Sequence, residues 1–152
     1  MMRFSASVSG VGRGRLARLG SELAREAVLR VARDVQRNVL ANLSGTVLKV
    51  RTGSLRRAWA RQPQVAGGGA SWEANVGSNL VYAAIHEFGG EIRPVRARFL
   101  QFKADDGRWV RTRLVTMPAR RYASLAVAET ERRVPRIVGE AVAAVAERLG
   151  LE

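Results

Sequence analysis

The chain has 152 residues and a formal net charge of +13, from 26 basic and 13 acidic side chains, with a single histidine and no cysteine. That length suits one domain, and an apolar share of 47% is enough to build a core. The missing cysteine excludes disulfides and thiol chemistry, no apolar run reaches the roughly 18 residues of a membrane-spanning helix, and the N-terminus, lacking an apolar centre, is not expected to be a secretory signal.

Residues 1–14 are rich in Ser and Gly and read as an N-terminal arm, flexible until bound, which leaves 15–152 as a single domain. G-V-G-R-G-R (10–15) matches a phosphate-binding loop only in part, because no strand is predicted before it. From about Leu16 to Leu43, the residues Leu16, Leu19, Leu23, Ala27, Val28, Val31, Val35, Val39 and Leu43 recur at spacings of three and four. The spacing predicts a long amphipathic helix, ended by Ser44-Gly45, with Arg18–Glu22, Glu26–Arg30 and Arg30–Asp34 as i,i+4 pairs. Thr52 or Ser54 can cap a following helical turn. A strand from Trp59 to Val65, a loose Gly-rich turn over 66–71 and an alternating strand over 72–78 predict a first β-hairpin.

Asn79 to Phe88 reads as a short helix, capped by Ser78 or Asn79 and ended by Gly89 or Gly90. Tyr82, Ile85 and Phe88 then share a face, with His86 off it. Residues 95–103 and 108–117 predict a second hairpin around Asp105-Asp106-Gly107. Pairing Ala104 with Arg108 sets Leu100 and Phe102 opposite Thr112 and Val110 on one face. Phe99 and Gln101 then lie opposite Arg113 and Arg111 on the other. The apolar face is expected to pack on the long helix. Pro118 ends the ladder, and a second helical pattern runs from Ala123 to Leu149 with a break near Arg133, forced by Pro135. These elements define an α+β fold: a long N-terminal helix and a broken C-terminal helix packed on an antiparallel sheet made of two β-hairpins.

Charge alternates along the chain. Residues 1–61 hold 13 basic and 3 acidic groups, 62–92 none and 3, 93–121 nine and 2, and 122–152 four and 5. Such alternation serves a polyanion or contacts between unlike faces of neighbouring copies. Arg93, Arg96, Arg98, Arg111 and Arg113 fall together on the second hairpin and form the expected contact surface for an oligomer neighbour, another protein or DNA phosphates.

Catalytic readings fail on residue types. His86-Glu87 lacks the second histidine one turn on that a zinc peptidase needs, since position 90 is Gly. A chain with one His and no Cys offers poor transition-metal ligation. There is no G-x-S-x-G elbow and neither Lys49 nor Lys103 follows a glycine as in a P-loop. No enzyme activity, cofactor, metal or small-molecule substrate is expected. Exposed aromatics interleaved with arginine would signal base stacking, but Trp59, Phe99 and Trp109 are all assigned packing roles.

Three stretches, R-T-G-S-L-R-R-A-W, V-G-S-N-L-V-Y-A-A-I-H-E-F-G-G-E-I and G-R-W-V-R-T-R-L-V-T-M-P-A-R-R-Y, resemble in order the phage virion morphogenesis family, the Mu-like tail-completion group of tailed phages. Tyr82, Ala83, His86, Phe88, Gly89, Gly90 and Ile92 match a Y-A-x-x-H-x-F-G-G-x-I corner. Pro118, Ala119, Arg120 and Tyr122 match a later P-A-R-P-F/Y-L motif. The sequence departs from the pattern at Glu87, where Gln is frequent, at Arg121, where Pro is usual, and at Ser124, where an apolar residue is expected. The resemblance covers roughly residues 50–125. It implies a structural virion protein at the neck or head-proximal tail end, acting as tail terminator or in tail completion. Such a protein forms a homo-oligomeric ring, commonly a hexamer, around the DNA channel, against neck, connector and tail-tube proteins, and is assembled in the bacterial host cytoplasm. The alternative is a sequence-independent DNA-binding protein.

Overall fold

Helix α1, Arg15–Ala41, is the axis of the domain, and a wider terminal turn, Asn42–Thr46, finishes it. The computed structural model describes every residue except 1, 10–13, 50, 51, 70, 151 and 152. Of the predicted stripe, Val28, Val35, Val39 and Leu43 lie in the core cluster, joined by Ala32, which the stripe did not include, and by Trp59, Ala74, Val76, Tyr122, Ala123 and Ala126; Leu19, Leu23 and Val31 are only half-buried. Full burial of each such valine contributes about 1.5–3 kcal/mol. On the polar side Glu26 pairs with Arg30 at 2.7 Å. Asp34 turns inward instead of pairing with Arg30. It accepts from Thr130 Oγ1 at 3.0 Å and Asn38 Nδ2 at 3.1 Å, and pairs with Arg37 and, at 3.5 Å, with Arg133. Four donors around a buried carboxylate offset its desolvation and tie α1 to the break in the C-terminal helix.

The element order is α+β throughout. The strands form three antiparallel groups: β1 (Met2–Ser9), β3 (Ser71–Ser78) and β2 (Gln64–Gly68) in that spatial order, β4 (Gly90–Ile92) with β7 (Val115–Met117), and β5 (Leu100–Lys103) with β6 (Trp109–Thr112). In the first, β2 (Gln64–Gly68) and β3 (Ser71–Ser78) form the expected hairpin. Its first strand starts five residues later than predicted, because Trp59 belongs to a short helix, α2 (Ser54–Trp59), and is buried there. The Gly-rich stretch is strand up to Gly68, which pairs with Ser71. Gln36 Nε2 donates to the Trp59 carbonyl at 2.7 Å and holds the exit of α2 against α1.

The N-terminal arm is a correction. Met2–Ser9 forms strand β1, antiparallel to β3 along its whole length, with Phe4 opposite Val76 and Ala6 opposite Ala74. Its physical basis is the free edge of β3, which pairs every β1 residue, together with the period-two order Met2, Phe4, Ala6, Val8. A strand therefore does precede 10–15. It is an antiparallel edge strand rather than the parallel central strand a dinucleotide loop follows, and residues 10–13 lie outside the described residues.

Helix α3 (Val81–Phe88) leads into β4 (Gly90–Ile92), and β5 (Leu100–Lys103) pairs with β6 (Trp109–Thr112). The predicted register holds: Leu100 faces Thr112, Phe102 faces Val110 and Gln101 faces Arg111, with Ala104 N donating to Arg108 O at 2.8 Å. The second hairpin is shorter than predicted, because Val115–Met117 leaves it as β7 and pairs with β4. Its apolar face does not pack on α1: the core cluster contains no residue of β5 or β6. So the hairpins do not make one sheet; the second stands outside the core. The C-terminal helix is broken as expected, into α4 (Tyr122–Glu131) and α5 (Val134–Arg148), with Pro135 in the first turn of α5, where its missing N–H is harmless.

Candidate functional site

Two surfaces carry the residues singled out by the sequence: the corner after α3, and the hairpin β5–β6. Helix α3 is inside out. Its buried residues are Ala83 and Glu87, one turn apart, with Glu87 at 0% exposure. The opposite arc is apolar and faces solvent: Val81 is 94% exposed, Phe88 68%, and Ala84 is exposed between them. In an isolated chain this arrangement is unfavourable on both sides.

The buried side has a local explanation. The Glu87 carboxylate accepts from Ala123 N at 2.8 Å and Ser124 N at 2.9 Å, and also from the Ser124 hydroxyl. It therefore caps α4, whose own N-cap residue, Arg121, makes no side-chain cap. Two of the orphan N–H groups of the helix are satisfied, and a negative charge sits at the positive end of its dipole. The last α3 carbonyls are satisfied in return: Arg120 N donates to His86 O at 2.9 Å and Arg121 N to Glu87 O at 3.0 Å.

Gly89 is what lets the two segments approach. Its φ is +71° and ψ −173°, and a Cβ there would sit 2.7 Å from Ala119 N and 2.8 Å from Met117 O. Gly90 also has positive φ, +141°, and pairs with Met117 in the β4–β7 ladder. The structure thus brings together His86, Gly89, Gly90, Ala119 and Arg120, with Pro118 between Met117 and Ala119. Tyr82 and Phe88 lie outside this joint on the solvent side.

Glu87, Arg121 and Ser124 meet here. Arg121 has φ +51°, which a proline ring cannot adopt, and its N–H is used. Ser124 donates to Glu87. The local conformation at 121 is therefore one that the usual proline would exclude.

His86 and Glu87 do not form a dyad. Neighbours on a helix point about 100° apart, so Glu87 goes into the α4 cap while His86 is half-buried and edge-on to Tyr82 at 6.1 Å. Its Nδ1 is buried without a hydrogen-bond partner among the described residues. Burial, and then the Arg120 guanidinium, hold its pKa below the usual value, which favours the neutral ring. Among the described residues no group of three or more His, Asp or Glu could hold a metal, and no helix is long and apolar enough to cross a membrane. A cavity of about 210 Å³ between α1, the three-stranded sheet and the C-terminal helices is lined mainly by Val31, Val35, Val76 and Val127, with Ser5, Thr130 and Glu131 as its polar lining.

Below the corner, Tyr122 is fully buried, edge-on to Trp59 at 6.1 Å, and its hydroxyl donates to Ala83 O at 3.4 Å. Burial pushes its pKa up from 10.0 to about 12. The folded state therefore keeps its proton where the unfolded chain loses it. This stability is complete below about pH 10 and is lost as pH rises through about 12. In urea titrations the unfolding midpoint is expected to fall over that window, by on the order of 2–3 kcal/mol in total, and Tyr122→Phe should flatten the fall.

On the second surface, Phe99 collects three guanidinium groups: Arg111 at 4.1 Å from the ring centroid, Arg113 at 5.2 Å and Arg98 at 5.6 Å. Arg93 is drawn off by Glu91 at 2.9 Å, and Arg96 is exposed in the loop before β5. Trp109 is 70% exposed, not packed as expected. It lies opposite Lys103, on the same face of the ladder as Gln101 and Arg111. Its parity with Arg111 and Arg113 was the available signal. For Glu87 the signal was its i,i+4 spacing from Ala83 on the face opposite Val81 and Phe88. Comparison with protein-family models, with curated proteins and with solved structures gave no match.

Proposed function

We propose that the protein is a structural subunit of a tailed-phage or phage-like virion that completes or terminates the tail at the head–tail joint by forming a homo-oligomeric ring. The observation that carries this reading is the uncovered apolar arc of α3, Val81, Ala84 and Phe88, held outward by a buried Glu87 on the reverse face. A rigidly presented apolar face with no intramolecular cover fits a surface completed by a neighbouring copy. Two features support the site and the setting. The arc belongs to the Y-A-x-x-H-x-F-G-G-x-I stretch that resembles the virion family, and the charge segments suit head-to-tail contacts that close when the rotation permits. The protein works by occupying a joint in the particle, against neck and tail-tube proteins.

Native mass measurement and negative-stain imaging of the purified chain test this reading. The wild type is expected to form closed rings. Phe88→Asp should weaken self-association by about 30-fold or more, the scale of a central interface residue, with an unchanged circular dichroism spectrum because Phe88 has little to lose in the monomer. A wild type that stays monomeric up to high concentration overturns the ring.

A further inference from the structure

The hairpin β5–β6 carries a second inference, which stands on its own geometry whether or not the chain forms rings. We infer that the face bearing Phe99, Arg98, Arg111, Arg113 and Trp109 is a nucleic-acid contact surface that grips the phosphodiester backbone through the arginines and meets a base or sugar through the tryptophan.

Three like charges are held around one phenyl ring, within 4.1 to 5.6 Å of its centroid. Their mutual repulsion opposes this, and the ring quadrupole offsets part of it. Two ion pairs beside the hairpin, Arg93–Glu91 and Arg108–Asp106, do not take in any of the three. A stacked guanidinium keeps its donor edge free and its plane fixed, so it loses little freedom on gripping a phosphate with two hydrogen bonds. The arrangement therefore suits a ligand of high, regularly spaced negative charge.

Trp109 decides between a polyphosphate chain and an acidic protein surface. A salt-bridging face has no use for an indole left 70% exposed beside its cations. A nucleic acid does, because every base offers a ring face and every sugar an apolar edge. Lys103 sits opposite Trp109 and adds a further cation on the same face. The scaffold also fits. The hairpin stands outside the core, and a two-stranded ribbon enters the major groove of a duplex, about 12 Å wide. With the arginines engaged on phosphates, Gln101 is the amide left on this face to read a base edge, which suits sequence-independent binding.

The test is binding of the full chain to fluorescein-labelled duplex and single-stranded oligonucleotides of mixed sequence over a range of salt. For the wild type, log K should fall linearly with log salt. Arg111→Gln/Arg113→Gln should reduce the slope by about 2 and weaken binding at low salt about 100-fold, with the circular dichroism spectrum retained. Trp109→Phe should keep most of the affinity, and Trp109→Ala should lose about tenfold with the slope unchanged. Binding should quench a tryptophan emission component that Trp109→Phe lacks. This readout needs no arginine variant and so survives a folding failure in the double mutant. The stronger response, duplex or single strand, identifies the form bound.

The inference is overturned if the folded double arginine variant binds like wild type, which would place the contact elsewhere on this basic chain. It is equally overturned if polyglutamate of matched charge displaces the oligonucleotide at equal charge concentration and the Trp109 emission does not respond, the signature of an acidic protein partner. A monomeric protein that shows the salt slope and its loss in the double variant would leave this surface standing and remove the ring.

Discussion

Gly89→Val is expected to destabilise the folded chain by about 3–6 kcal/mol, the sum of a forbidden backbone region and an overpacked contact. Both components are local. The φ of +71° with extended ψ belongs to glycine alone, and the added Cβ would meet backbone atoms, Ala119 N at 2.7 Å and Met117 O at 2.8 Å, which cannot swing aside as a side chain can. Gly90→Ala supplies the control. Its φ is also positive, at +141°, yet the nearest atom to a new Cβ is Ile85 Cδ1 at 3.8 Å. Only the conformational component, about 1–3 kcal/mol, then applies. Urea denaturation of the two variants separates crowding from strain. Equal losses at 89 and 90 would show that the close approach to residues 117–119 contributes nothing.

Glu87→Ala should rank next, at about 3–5 kcal/mol. The carboxylate is fully buried and receives three donors at the start of α4, so its removal leaves two backbone N–H groups and the Ser124 hydroxyl without their acceptor in a closed site. Glu87→Gln keeps one acceptor oxygen, but in either orientation its amide nitrogen faces one of the two backbone N–H groups, Ala123 N or Ser124 N, so it should cost about 1–3 kcal/mol, less than the alanine. Thermal unfolding of both variants checks it, and a Gln variant as unstable as the Ala variant would show that charge, rather than acceptor geometry, holds α4.

Local pattern carried part of this architecture. The stripe of α1, the break at Pro135 and the register of β5–β6 each follow from spacing, a blocked N–H or a turn glycine, which are properties of residues adjacent in the chain. What failed to show was non-local. β1 alternates with period two, but its serines and the glycines after it read by composition as a flexible arm, and its actual support is the edge of β3, some 70 positions on. Apolar Leu100, Phe102 and Val110 point to core packing for the second hairpin, yet none of them joins the core cluster of described residues. Of the candidate site, the glycine corner and the basic face were legible from residue type. Glu87 and Trp109 stand out less, because both have exposures opposite to those of their residue types; their spacing places them on the right faces, and the placement of α4 and of the hairpin shows what those faces meet.

The joint at Gly89 has a consequence for how this chain can change. Residues 89 and 121 bracket a long excursion whose two ends are clasped side by side, Arg120 and Arg121 against the final carbonyls of α3. Everything that excursion displays, from the arginines to the tryptophan, is thus hung from a closed clasp instead of being woven into the hydrophobic interior. Its outer sequence is free to drift, to lengthen or to be exchanged wholesale for another binding module, while the scaffold behind the clasp stays folded on the same terms.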